Sequence, residues 1–81
     1  MDRSEIDGRV RGVFHSLFNV DPATLVQTSS PDNVPGWDSL QHLNLVTALE
    51  EEFGVALDEE QVVQMLSFGL AVEILVEALA A

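Results

Sequence analysis

Pro35-Gly36-Trp37-Asp38-Ser39-Leu40-Gln41-His42-Leu43 leads from a loop into a helix near the middle of an 81-residue chain. Pro-Gly is a turn dipeptide. Asp38 is a strong N-cap type, and Gln41, three residues on, completes a pair with capping-box spacing. With Asp38 as the cap, Ser39 is the first helical residue and its hydroxyl is not consumed by capping. The same letters also allow Ser39 itself to cap. Downstream, Leu45, Leu49 and Phe53 stack on one face at about 100° per residue. His42 falls on that face, with Val46 at its edge. Leu40, Asn44, Thr47 and Glu51 lie opposite, so Leu40 is an apolar residue among polar ones. Gly54 stops the helix at C′, giving an expected span of Ser39 to Phe53.

Working outward, a first helix is expected from about Glu5 to Phe18, with Ser4 as N-cap and Asp7 as an imperfect box partner. Ile6, Val10, Val13, Phe14 and Leu17 form its apolar stripe. Arg11 and His15 fall off the stripe, and His15 is most simply a solvated histidine. Residues 19–37 read as a long loop punctuated by Asp21-Pro22, Ser29-Ser30-Pro31 and Pro35-Gly36. A loop of that length in a small domain is usually functional. Leu25, Val26 and Val34 are expected to pin it to the core, and Trp37 reads as a packing anchor before the helix rather than a ligand-stacking group. A short helix is expected over Glu59 to Leu66 behind Asp58, and a last one over Phe68 to Leu79 behind Ser67. Glu73 and Glu77 share one face of that last helix, which is otherwise nearly all apolar. The expected fold is all-α: one domain over residues 1–81, with three main helices, one short helix and a long first loop.

Composition narrows the function. Fourteen acidic residues face three basic ones, Arg3, Arg9 and Arg11, for a formal net charge of −11. Nucleic acid and anionic membrane surfaces are poor partners for such a chain. A basic protein partner is favoured, because opposite fields steer encounter; acid that merely keeps the protein soluble is the plainer reading. Glu50, Glu51 and Glu52 crowd a helix C-terminus, where the dipole disfavours them, which points to recognition rather than stability. The start of the chain has no apolar signal core, and Glu73 and Glu77 interrupt the longest apolar stretch, so a soluble cytoplasmic protein is expected.

Without Cys, there is no disulfide and no thiolate metal site. His15 and His42 are too few for zinc. From Asp32, the calcium-hand spacing fails, with Val34 at the third position and Gly36 at the fifth. A serine hydrolase would need a base and an orienting group. His42 stands three residues from Ser39, but no third group is evident and the Gly-x-Ser-x-Gly elbow is missing. An anion on Ser39 would sit where free N–H groups and the positive dipole end favour negative charge.

The segment Gly36-Trp37-Asp38-Ser39-Leu40, with Ala48-Leu49-Glu50-Glu51-Glu52-Phe53-Gly54-Val55 after the stripe, resembles acyl carrier proteins. These carry Asp-Ser-Leu at the start of their second helix. The likeness runs over nearly the whole chain. It implies that Ser39 accepts 4′-phosphopantetheine from coenzyme A through a phosphopantetheinyl transferase, and that Asp38 supports the transfer. Leu40, Val46 and Thr47 match helix positions that contact partner enzymes; Glu50 and Glu51 match acids that meet Arg and Lys on those acyl-loading and acyl-processing enzymes. The implied protein is a monomeric, non-catalytic carrier of thioester-bound intermediates in fatty-acid, polyketide or related biosynthesis. Trp-Asp-Ser-Leu is similar to free-standing carriers of secondary-metabolite pathways, and Met1 with the compact length fits that form. Asn44 stands where many fatty-acid carriers have an acid. His42 replaces a usually small or polar residue, which suggests a buried neutral imidazole with a satisfied hydrogen bond. Apolar residues Val55, Leu57, Val62, Val63, Leu66 and Leu75 suggest shelter for an acyl chain between the second and third helices. The competing reading is an unmodified acidic helical protein-interaction module.

Overall fold

The computed structural model describes residues 2–80. The chain runs through α1 (Arg3–Phe18), a 3-10 turn at Pro22–Thr24, α2 (Ser39–Phe53), α3 (Glu59–Gln64) and α4 (Phe68–Ala80). The fold is the expected acyl-carrier-like helical bundle, with α1 packed against both α2 and α4. Ile6, Val10, Val13 and Phe14 of α1 meet Leu45, Leu49 and Phe53 of α2 and Ala71, Val72 and Leu75 of α4 in one core. Each fully buried large aliphatic or Phe side chain there is worth about 1.5–3 kcal/mol relative to exposure.

Two boundaries differ from expectation by two residues, and α4 runs one residue further than expected, to Ala80. α1 begins at Arg3, capped by Asp2, whose Oδ1 accepts the Glu5 N–H at 2.8 Å. Ser4 is therefore inside the helix and not its cap. Asp7 makes no capping box; its carboxylate accepts from Arg11 Nε at 2.6 Å. α3 ends at Gln64 rather than Leu66, because the chain turns there to bury Met65 completely.

The first loop is ordered by main-chain pairing. Arg11 Nη1 donates to the carbonyls of Pro22 and Leu25 at 2.6 and 2.8 Å. Its guanidinium also lies 4.8 Å from the centre of the Phe68 ring. Further on, the Phe68 and Gly69 amides, at the start of α4, donate to Ser29 O (2.7 Å) and Gln27 O (3.0 Å). The loop thus satisfies N–H groups that a helix start leaves open. Leu25 and Val34 are buried as expected, but Val26 is exposed. Its N–H is taken by Ser29 Oγ at 3.0 Å, in a turn that sends Leu25 and Ser29 inward and Val26 out.

Gly69 has a steric reason. A Cβ there would lie 2.9 Å from both Gln27 Cβ and Gln27 O. Gly69→Ala is expected to cost about 1–3 kcal/mol through overpacking, read as a lower urea midpoint at unchanged m-value. A variant of wild-type stability would show that the Gln27 segment yields freely.

Trp37 closes the other end of the loop. It is 2% exposed and sits edge-on to Phe14 at 5.1 Å. As the residue before the cap it also stacks on His42, the fourth residue of α2, at 6.1 Å and 13°. That is the geometry of a staple across a helix start.

Candidate functional site at the start of the second helix

Asp38 is the N-cap of α2, its Oδ1 accepting the Gln41 N–H at 2.8 Å. Of the two readings open in the sequence, the cap is Asp38 and the first helical residue is Ser39. The reciprocal half of the capping box is not made. Asp38 N–H already donates to Gly36 O at 3.2 Å, and the Gln41 side chain accepts instead from Asn44 Nδ2 at 3.1 Å. A complete capping box stands at α3, between Asp58 and Gln61.

Ser39 is exposed. Its amide and that of Leu40 precede the first intrahelical bond, from His42 N–H to Asp38 O at 2.8 Å. They therefore belong to the open, positive end of α2. An open groove of about 480 Å³ adjoins the hydroxyl, lined by Pro31, Asp38, Ser39, His42, Val62, Val63, Met65 and Leu66. Apart from Asp38, Ser39 and His42 its walls are apolar. A phosphodiester-linked, chain-like group fits these residues: the hydroxyl is reachable, the helix end favours an anion, and the groove offers apolar surface beside it. Of the six apolar residues expected to shelter an acyl chain, Val62, Val63 and Leu66 reach this groove. Val55 and Leu57 pack partly buried against the core, and Leu75 is fully inside it.

The partner-facing residues divide. Leu40 is 70% exposed, and Leu43, one turn on, is 60% exposed. Leu43 was not singled out from the sequence, although its position three residues after Leu40 and off the Leu45–Leu49–Phe53 stripe carried the signal. Thr47 is exposed, its hydroxyl donating to Leu43 O at 3.1 Å. Glu51 is exposed. Val46 is only 7% exposed and belongs to the core, in keeping with its place at the edge of the buried face of α2. Glu50 Oε2 accepts the Leu57 N–H at 2.8 Å. Glu52 lies 3.7 Å from Arg9 of α1. Two of the three clustered acids thus have structural partners, which corrects the inference that stability has no use for them.

Ser39 thus stands exposed at the head of α2, beside a largely apolar groove, in a small acidic helical bundle. No protein-family model matches the chain. It is 38% identical over 61 residues to an acyl carrier protein of Thermosynechococcus vestitus, covering 75% of each chain. It is 36% identical over 72 residues to one of Afipia carboxidovorans, covering 89% of this chain and 91% of that one. It is also 36% identical over 73 residues to mitochondrial acyl carrier protein 2 of Arabidopsis thaliana, covering 90% of this chain but 58% of that relative's length. A solved acyl carrier protein from Enterococcus faecalis shares the fold, with a TM-score of 0.78 and 23% identity over 96% of this chain and 99% of that chain. The chain belongs to the acyl carrier protein family, and an acyl-carrying role goes with that membership. Among the described residues, no helix is long and apolar enough to cross a membrane.

Proposed function

We propose that Ser39 is the attachment point of 4′-phosphopantetheine, donated by coenzyme A through a phosphopantetheinyl transferase, and that the protein presents acyl intermediates to enzymes of fatty-acid, polyketide or related biosynthesis. The observation that carries this reading is the exposed Ser39 hydroxyl directly behind an Asp38 cap in a member of this family. When bound, the arm supplies a terminal thiol that holds the acyl group as a thioester. Asp38 fixes the start of α2, and with it the exposed position of Ser39. The helix end stabilises the phosphodiester charge by about 0.3–1 kcal/mol at an exposed site. Pro31, Val62, Val63 and Leu66 offer apolar contact beside it. The protein performs no chemistry of its own and acts by raising the local concentration of its cargo at successive active sites.

Leu40 and Leu43 supply the apolar centre of the docking face, with Thr47 and Glu51 beside them. Glu50 adds charge while its Oε2 holds the α2–α3 connection. A face of that kind fits enzymes with basic docking patches.

Incubation with coenzyme A and a phosphopantetheinyl transferase is expected to add one phosphopantetheine mass to the wild type and nothing to Ser39→Ala. Absence of any gain across several transferases favours the unmodified interaction module. A gain that survives Ser39→Ala removes Ser39 from the proposal.

A further inference from the structure

His42 has both ring nitrogens committed. Trp37 Nε1–H donates to His42 Nδ1 at 3.0 Å, and His42 Nε2 lies 3.0 Å from Val62 O. An indole N–H only donates and a carbonyl only accepts, so these partners require a bare Nδ1 and a protonated Nε2. The neutral ring thereby joins three segments: the loop through Trp37, α2 itself, and α3 through Val62.

α3 is poorly held by other means. It has six residues, none of them fully buried. So short a helix has little stability of its own. It is retained by the partly buried Val62 packed on the core, by Met65 just past its end, and by the His42 bond to Val62. Val62 and Val63 form the α3 wall of the groove beside Ser39.

A doubly protonated imidazole has no lone pair to accept from Trp37; two N–H groups would face each other. We propose that His42 is a positioning residue that latches α3 to α2 and to the loop only while neutral, so that acid loosens the α3 wall beside Ser39. Of the titratable groups around the ring, Asp38 is the acid that shares the groove, and its Oδ1 is occupied by Gln41 N–H. On α3, Glu59 and Glu60 are exposed in the first turn, and Asp58 is occupied by its capping box. On the far side of Trp37 the neighbours are the uncharged rings of Phe14 and Phe18. The Trp37 indole N–H bonds none of these groups; its partner is His42 Nδ1. The latch operates in the unmodified chain, so its test is separate from that of the carrier reading.

The test is NMR on the full, unmodified chain from about pH 8 to about pH 5.5, the range over which an imidazole changes charge. At the upper end, the ring nitrogen shifts of His42 are expected to report the Nε2–H tautomer. Towards the lower end, the indole signal of Trp37, the single tryptophan, is expected to move. Amide exchange in α3, corrected for intrinsic rates, is expected to rise about three- to tenfold relative to α1, the scale of one lost hydrogen bond. His42→Gln keeps a donor and an acceptor without titrating and should abolish the pH response. His15→Gln, at the other histidine, should leave it intact. The Nδ1–H tautomer, α3 exchange that does not change with pH, or a response that persists in His42→Gln each overturns the latch. The first two are read on the wild type, so they hold even where a variant fails to fold.

Discussion

Phe14→Ala is expected to lower the melting temperature by about 15–30 °C. Phe14 is fully buried and sits at the centre of the aromatic cluster. Its ring lies 5.6 Å from Phe18, 5.1 Å from Trp37 and 5.4 Å from Phe68, each pair edge-to-face. Truncating a buried Phe to Ala costs about 3–5 kcal/mol in transfer and cavity terms. A domain of this size has a total stability of roughly 4–12 kcal/mol, and each kcal/mol is worth about 4–8 °C. The loss reaches the loop as well, because Trp37 rests on Phe14. Thermal unfolding followed by circular dichroism checks this. A drop of less than about 5 °C, under what a single kcal/mol is worth at mid-range, would mean that the cluster repacks around the gap and does not organise the core.

Arg11→Met is expected to cost about 2–3 kcal/mol, with a fall in melting temperature of about 10–20 °C. The substitution keeps the apolar stem and removes the guanidinium. The carbonyls of Pro22 and Leu25 lose a charged donor, Asp7 loses its partner, and Phe68 loses the cation over its ring. Hydrogen bonds to a charged group are worth about 1.5–3 kcal/mol net. The Arg11 side chain is 29% exposed, so water replaces part of the loss. The damage should be local first: the amides of Thr24 and Leu25, which bond Asp21 O and Pro22 O, should exchange faster before those of α1 and α2. Arg11→Lys should recover only part, because an ammonium lacks the planar fork that reaches two carbonyls together. A Met variant within about 0.5 kcal/mol of wild type would place Arg11 among ordinary surface residues.

Arg11 also shows what sequence reasoning could not reach. Its position off the apolar stripe of α1 was legible, but its partners are main-chain carbonyls 11 and 14 residues away. Carbonyls are present at every residue, so no letter pattern announces them. The same applies to the loop that bonds the first amides of α4: only the closeness of Gln27, 2.9 Å from where a Cβ would sit, explains a glycine at position 69. Helix ends were legible to within two residues. At α1 both Asp2 and Ser4 are capping types, and the choice between them depends on which turn the core engages.

The Ser39 site was readable because its determinants are local. Asp38 caps, Ser39 follows, and Leu45, Leu49 and Phe53 orient the helix; all of this sits within 16 residues and obeys a 3.6-residue period. Whether Val46 stays on the surface, and what Glu50 bonds, lay beyond that reach. A helical wheel assigns directions but not how far neighbouring helices extend around them. Val46, at the edge of the apolar face, is settled as core only by the assembled bundle, and only the return of the chain at Leu57 gave Glu50 its donor.

The sequence by itself determined the number of helices, the acidic character and the family likeness, and narrowed the cap of α2 to Asp38 or Ser39, since each is set by neighbours a turn or less away or by composition. Tertiary structure alone decided how the first loop is held, which residues of α2 stay on the surface, and that His42 ties Trp37 to Val62 beside the groove. Those depend on groups distant in sequence meeting in space, where hydrogen-bond geometry and close packing select among arrangements the local code leaves equal.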